Sequence, residues 1–185
     1  MLNRRKFVVG AAAGVVAFPT VAKAHKRPVK IAAKYQVQEV PFSGYAPGTV
    51  VVDTKNYFLY LVLENGRARR YGVGVGRAGL AFKGRAVVGR KAKWPRWTPT
   101  KNMIRREPKK YARFAKGVAG GPSNPLRARA LYLYKNGRDT MYRIHGTNSP
   151  WSIGRSVSNG CIRLTNANIK DLYNRVPVKT RVVVL

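Results

Sequence analysis

Two Asn-Gly dipeptides, Asn65-Gly66 and Asn136-Gly137, each interrupt a stretch rich in β-branched and aromatic residues. That dipeptide favours the pair of positive φ angles in a type I′ turn, whose twist matches that of the strands it joins. A chain that carries the device twice is committed to antiparallel hairpins. The first is expected to join Tyr57–Leu63 to Arg67–Val75, the second Arg129–Tyr134 to Thr140–His145. Tyr57–Leu63 is apolar or aromatic throughout and reads as a strand buried on both faces. Thr49–Val52 and Gly84–Arg90 read as further strands, and Arg181–Leu185 as a closing apolar strand. The spacing predicts one good helix, over Thr165–Tyr173. Thr165 or Asn166 can cap it, Ile169, Leu172 and Tyr173 share a face, and Pro177 limits it. Many short strands and one late helix make a mostly β sandwich or barrel.

Between Lys93 and Leu126 this texture breaks down into Trp94-Pro95-Arg96-Trp97-Thr98-Pro99, Gly120-Gly121-Pro122 and Asn124-Pro125. A stretch this long without clear elements reads as a binding loop or lid, and its two tryptophans argue against a disordered insertion. Pro108 and Gly117 could bracket a short helix.

Residues 1–24 read as an export signal, with Arg4-Arg5-Lys6, an apolar run from Phe7 to Phe18, and the small-residue pattern Ala22-Lys23-Ala24. The paired arginines point to the twin-Arg route, with general secretion left open. Twelve residues at about 1.5 Å each cannot cross a hydrocarbon core of about 30 Å. No stable membrane span is therefore expected after cleavage. Residues 25–39 read as a flexible basic leader and 40–185 as one folded domain. The inferred compartment is the periplasm.

Composition narrows the chemistry. The chain of 185 residues holds 37 Lys or Arg, six Asp or Glu, two His and one Cys, for a formal charge of +31. Loss of Arg4, Arg5, Lys6 and Lys23 with the signal leaves 33 basic residues against six acidic ones, a net +27. An intramolecular disulfide is impossible, and a multi-ligand metal site is nearly excluded, so no metal or other cofactor is expected. In a cell envelope such charge seeks anionic polymers: peptidoglycan stems, lipopolysaccharide or anionic lipid head groups. Export removes nucleic acid, the usual partner of a basic protein.

Cys161 lies in Ser158-Asn159-Gly160-Cys161-Ile162-Arg163-Leu164. A catalytic thiol needs a base, an oxyanion site and a group that orients the base. His25 falls in the leader, which leaves His145, at the end of a hairpin strand in Arg143-Ile144-His145-Gly146-Thr147, as the one imidazole in the folded body. Gly160 allows backbone N–H groups to approach an oxyanion, and Arg163, two residues beyond Cys161, could fix a substrate carboxylate. The competing reading is a small buried hydrophobe and a satisfied core histidine. A Ser nucleophile among Ser149, Ser152, Ser156 and Ser158 lacks a Gly-x-Ser-x-Gly elbow. Gly72-Val73-Gly74-Val75-Gly76 lacks the spacing of a phosphate loop and reads better as a strand.

His145-Gly146-Thr147 followed by Ser158-x-Gly160-Cys161-Ile162-Arg163-Leu164 resembles the signature of the YkuD-type L,D-transpeptidases. Pro47–Asp53, Leu59–Leu63, Gly72–Gly76, Trp94-Pro95-x-Trp97-x-Pro99, Gly120–Leu126 and Ala130–Leu133 extend the likeness over about residues 40–185. The resemblance implies a β-sandwich of the YkuD type, with one late helix and a long loop over the cleft, and a cysteine acyltransferase of the penicillin-insensitive kind. Cys161 would attack the carbonyl of the third stem residue of peptidoglycan and expel the terminal D-Ala. His145 would take the thiol proton, the Gly146 carbonyl would orient the imidazole, and N–H groups around Gly160 and Cys161 would hold the oxyanion. Arg163, Asn159, Ser158 and Trp151 are the expected substrate-binding residues. An amine of a neighbouring stem would complete a 3→3 cross-link, water would make the enzyme a carboxypeptidase, and an outer-membrane protein would become tethered to the wall. A non-catalytic cationic wall-binding protein is the rival from another class. Two positions depart from the family: Asn159 stands where His is usual, and Arg127 where Gly usually follows Asn-Pro-Leu.

Overall fold

The computed structural model describes residues 29–185, so residues 1–24, read as an export signal, and the first residues of the expected leader lie outside it. Both Asn-Gly turns fold as expected. Asn65 and Gly66 (φ 57° and 66°) join β3 (Phe58–Val62) to β4 (Arg67–Gly72), and Asn136 and Gly137 (φ 50° and 74°) join β7 (Arg129–Lys135) to β8 (Arg138–Gly146). The remaining strands are β1 (Gln38–Pro41), β2 (Val50–Asp53), β5 (Val75–Gly76), β6 (Gly84–Lys93), β9 (Ser156–Ser158), β10 (Ile162–Leu164) and β11 (Arg181–Val184). Three helices, α1 (Lys101–Arg106), α2 (Pro108–Tyr111) and α3 (Asn166–Arg175), accompany them. The fold is mostly β, as expected.

Nine strands form one mixed sheet in the order β1-β4-β3-β2-β11-β6-β7-β8-β10, while β5 and β9 pair separately. The sheet curls back on itself. An antiparallel bridge from Gly74, just past β4, to Arg163 of β10 brings its far ends together. Inside the curl, Val50, Val52, Leu59, Leu61, Ile144, Ile162 and Leu164 pack with Ile169 and Leu172 of α3. Each of those two helix residues is fully buried, worth about 2 kcal/mol apiece. Thr165 caps α3 by accepting from the Asn168 N–H at 3.2 Å. At the other end, the Lys91 ammonium donates to the carbonyls of Tyr173 and Val176 at 2.6 Å each, where the helix dipole favours a cation.

Two expectations need correction. The leader is not free along its length, because Ala33–Tyr35 form a 3₁₀ turn and Gln38–Pro41 pair antiparallel with β4. Tyr35 occupies the space that side chains at Gly72 and Gly154 would need. The closing strand forms as expected, and β11 lies in the middle of the sheet, parallel to β2 and antiparallel to β6. The outer face of β3 is only half covered, with Phe58 and Tyr60 under Tyr35 and Phe42.

The segment between Lys93 and Leu126 is built rather than loose. Thr100 caps α1 by accepting from the Met103 N–H, and Pro108 starts α2 as predicted. Trp97 meets Tyr111 and Phe114 edge-on and bridges to Val118. Asn124, fully buried, donates to the carbonyls of Pro95, Val118 and Ala119 and accepts from the Leu126 N–H at 2.8 Å. This segment is called the flap below.

Candidate active site

Strands β8 and β10 run parallel, with Ile162 opposite Ile144, Arg163 opposite His145 and Leu164 opposite Gly146. Ile144, Ile162 and Leu164 face the core. Since side chains alternate along a strand, His145 and Arg163 face away from the core, as do their neighbours two residues back, Arg143 and Cys161. The parallel pairing of β8 with β10 thus brings the lone thiol and the imidazole to one face, on adjacent strands.

His145 is 4 % exposed, and its Nδ1 lies 2.5 Å from the Gly146 carbonyl oxygen. A carbonyl can only accept, so Nδ1 carries the proton and Nε2 is left with a lone pair. Burial, reinforced by the positive charge of Arg163, pushes the imidazole pKa down to about 3, against the pull of the Gly146 carbonyl. The ring is therefore neutral at physiological pH. The half-buried Cys161 thiol is pushed up by burial, while the Arg143 N–H and the guanidinium groups of Arg143 and Arg163 act the other way. Thiol and imidazole are not hydrogen-bonded to each other in this resting arrangement, and such contacts commonly tighten only with substrate bound.

Gly160 has φ +120°, and a Cβ there would lie 2.4 Å from the Tyr142 ring and 2.5 Å from the Leu80 carbonyl oxygen. Only glycine fits. Its N–H donates to Ser158 Oγ at 3.0 Å, and the same hydroxyl donates to the Cys161 carbonyl at 2.6 Å. The Gly160 N–H, expected as an oxyanion donor, is thus engaged by Ser158 in this structure. The Cys161 N–H has no acceptor among the described residues and is the donor left free. The other candidate serines are occupied or unpartnered: Ser149 with Asn148, Ser156 with Tyr57, and Ser152 buried with no partner.

Asn159 ties the site to the flap. It donates to the Tyr111 hydroxyl at 2.7 Å and accepts from Arg77 at 2.9 Å and Arg106 at 3.4 Å. Arg77 in turn pairs with Glu107 at 2.7 Å. Neither Tyr111, Arg77 nor Glu107 carried a signal in the sequence, whereas Arg143 could have been found as the residue two before His145. Arg163 stays close enough to Cys161 and Tyr111 to feel both, and burial lowers its own pKa. Trp151 is not drawn into this cluster: it is 50 % exposed, and the partner the structure gives its ring is Arg155. Arg127 has φ +56°, which explains why glycine is the usual residue there. Its Cβ stands 3.1 Å from where a Gly146 side chain would be, so Arg127 and Gly146 pack directly together.

The sequence matches the YkuD family, described as the L,D-transpeptidase catalytic domain, over residues 47–184. The probable L,D-transpeptidase ErfK/SrfK of Escherichia coli (strain K12) is 39 % identical over 140 residues, covering 75 % of this chain and 44 % of that protein. The probable L,D-transpeptidase YbiS of the same strain is 41 % identical over 112 residues, covering 60 % and 35 %. The chain thus spans less than half the length of these curated relatives. Among solved structures, one from Brucella melitensis described as a probable carnitine operon oxidoreductase is 54 % identical with a TM-score of 0.58, covering 84 % of this chain and 96 % of that one. An L,D-transpeptidase from Mycobacterium smegmatis is 17 % identical with a TM-score of 0.53, covering 74 % and 58 %, a likeness of fold.

Proposed function

The chain belongs to the YkuD family of L,D-transpeptidase catalytic domains, and on that footing we propose that it forms 3→3 cross-links in peptidoglycan through a Cys161 acyl-enzyme in the periplasm. One observation carries the reading: the single thiol and a neutral, Nδ1-protonated imidazole share a face of adjacent strands. That arrangement supplies a nucleophile and a base whose basic nitrogen is free.

In the first half-reaction, Cys161 Sγ attacks the carbonyl carbon of the third stem residue as His145 Nε2 takes the thiol proton. The Cys161 N–H stabilises the oxyanion, joined by the positive field of Arg143 and Arg163. The carbon–nitrogen bond to D-Ala then breaks, His145 returns the proton to the leaving amine, and a thioester remains. In the second half-reaction, the amine of a neighbouring stem attacks the thioester, His145 accepts its proton, and Cys161 leaves to be reprotonated. Arg163 is suited to hold a stem carboxylate. A water or a protein amine in place of the acceptor would give hydrolysis or tethering by the same steps.

The experiment is muropeptide analysis by mass spectrometry after incubating the full chain with a disaccharide-tetrapeptide. A dimer joined between third residues, with release of D-Ala, is expected, and none with Cys161→Ala. Release of D-Ala with tripeptide as the sole product would mean that water is the acceptor. Unchanged tetrapeptide, with the chain still folded, would favour the non-catalytic wall-binding reading. The oxidoreductase description of the Brucella protein gains no support from this chain, since Gly72–Gly76 passes from β4 into β5 as extended chain without phosphate-loop spacing.

A further inference from the structure

The face that carries Cys161, His145 and Arg163 continues well beyond them. Residues paired across neighbouring strands share a face, so the register can be followed outward. Arg143 of β8 lies opposite Tyr132 of β7, and Tyr132 opposite Arg90 of β6. Both guanidinium groups lie against the Tyr132 ring, 4.2 and 3.6 Å from its centroid. Two residues along β7, Tyr134 pairs with Val87 of β6, and Val87 with Arg181 of β11. Arg85 pairs with Val183 of β11 in the next row.

There the surface sinks into a groove of about 660 Å³, whose lining includes Tyr45, Arg85, Tyr134, Lys135 and Arg181. Its floor is partly apolar, with Val87 39 % exposed. The Tyr134 ring is bedded on Gly89, where a Cβ would come within 2.3 Å of it. No acidic residue lines the groove, and Asp53, on the same face of β2, is engaged by Asn56. The mechanism above uses none of this.

We infer that this groove is a second binding site, for a glycan strand of peptidoglycan together with the carboxylates of its neighbouring stems, and that it holds the polymer whose stem reaches Cys161. The inference rests on the proposed transpeptidase reading. Tyrosine rings offer flat faces to sugar rings, and guanidinium forks match carboxylates two bonds at a time. A concave, cationic and aromatic trough suits a chain, whereas a lipid surface is met by protruding apolar side chains. Four strand spacings of about 4.8 Å separate β10 from β11, roughly 19 Å along the surface. Four extended residues reach only about 14 Å. A stem held at Cys161 therefore cannot fill the groove, and the strand from which it hangs can.

The test measures binding of the full chain to purified sacculi by co-sedimentation, beside the rate at which imipenem acylates Cys161, a soluble probe that does not need the groove. Arg85→Gln with Arg181→Gln is expected to raise the dissociation constant for sacculi about tenfold and leave the imipenem rate unchanged. The charge-matched control, Lys55→Gln with Lys170→Gln, is expected to change binding by less than about twofold. Sacculi whose carboxylates have been amidated should bind the unaltered chain as weakly as native sacculi bind the double variant. Should that variant lose its imipenem reaction through misfolding, Tyr134→Leu and Lys135→Gln singly decide, each expected to weaken binding about threefold. Equal losses in the control, no loss in the groove variants, or a loss seen only with lipopolysaccharide would overturn the inference. An absent imipenem adduct with groove-dependent sacculus binding would instead remove the transpeptidase reading and leave a wall-binding groove.

Discussion

Cys161 and His145 form a neutral pair at rest, and this has a kinetic consequence. Burial raises the thiol and lowers the imidazole to about 3, so both effects oppose a thiolate–imidazolium pair. A thiol titrating above its ordinary value of 9.0 stays protonated at neutral pH. Alkylation of Cys161 by iodoacetamide should therefore accelerate steadily through neutral pH and beyond about pH 9, with no plateau on the acid side. A plateau below about pH 6 would show a preformed ion pair. The two central residues were legible because the chain has one Cys and two His, one of them in the leader. The engagement of the Gly160 N–H by Ser158 was not legible, since it depends on a side-chain rotamer and a φ of +120°.

At the scale of elements, the flap is held by the buried amide of Asn124 and clasped to the active site by the half-buried amide of Asn159. Asn124→Ala would leave the carbonyls of Pro95, Val118 and Ala119 without that donor. The expected cost is about 2–3 kcal/mol, a Tm lower by roughly 5–10 °C in calorimetry. A change of under about 2 °C would mean that water replaces the amide. Asn159→Ala would remove the amide shared by Tyr111, Arg77 and Arg106, leaving Arg77 held by Glu107 alone. Limited trypsin digestion should then cut first within residues 101–116, about fivefold faster than in the unaltered chain. An unchanged rate and first site would show that the clasp holds nothing. The hairpins were readable because a turn dipeptide is local chemistry. The helices of the flap were only half readable: Pro108 announces α2, but α1 relies on the Thr100 cap and has only Met103 and Ile104 as apolar residues, too few to show a helical period. Strand β1 escaped notice because edge pairing with β4 needs backbone groups rather than an apolar pattern.

Across the whole molecule, six acids among so many cations are each worth following. Asp171 accepts from Tyr71 at 2.7 Å and from Arg69 and Arg175 at 2.8 Å, linking β4 to α3. Burial pushes its carboxyl up, but those donors outweigh burial and hold it below its ordinary 3.8. A group depressed in this way binds fewer protons folded than unfolded. Its stabilisation is complete above the ordinary value and is lost as pH falls through the folded one. Asp171→Asn should lower the Tm at neutral pH and lose less between about pH 5 and pH 3 than the unaltered chain. Parallel melting curves of the two would contradict this. The central position of β11 was beyond sequence reasoning, since an arginine followed by three valines fits an edge or a centre equally well and only the pairing with both β2 and β6 decides. The claim on which the account depends is that Cys161 is a nucleophile activated by His145, and intact-mass spectrometry after exposure to imipenem tests it most directly. One adduct on the unaltered chain, none on Cys161→Ala, and acylation slowed by roughly 100-fold or more in His145→Ala is the predicted result. No adduct on the unaltered chain, or the same adduct on Cys161→Ala, would contradict it.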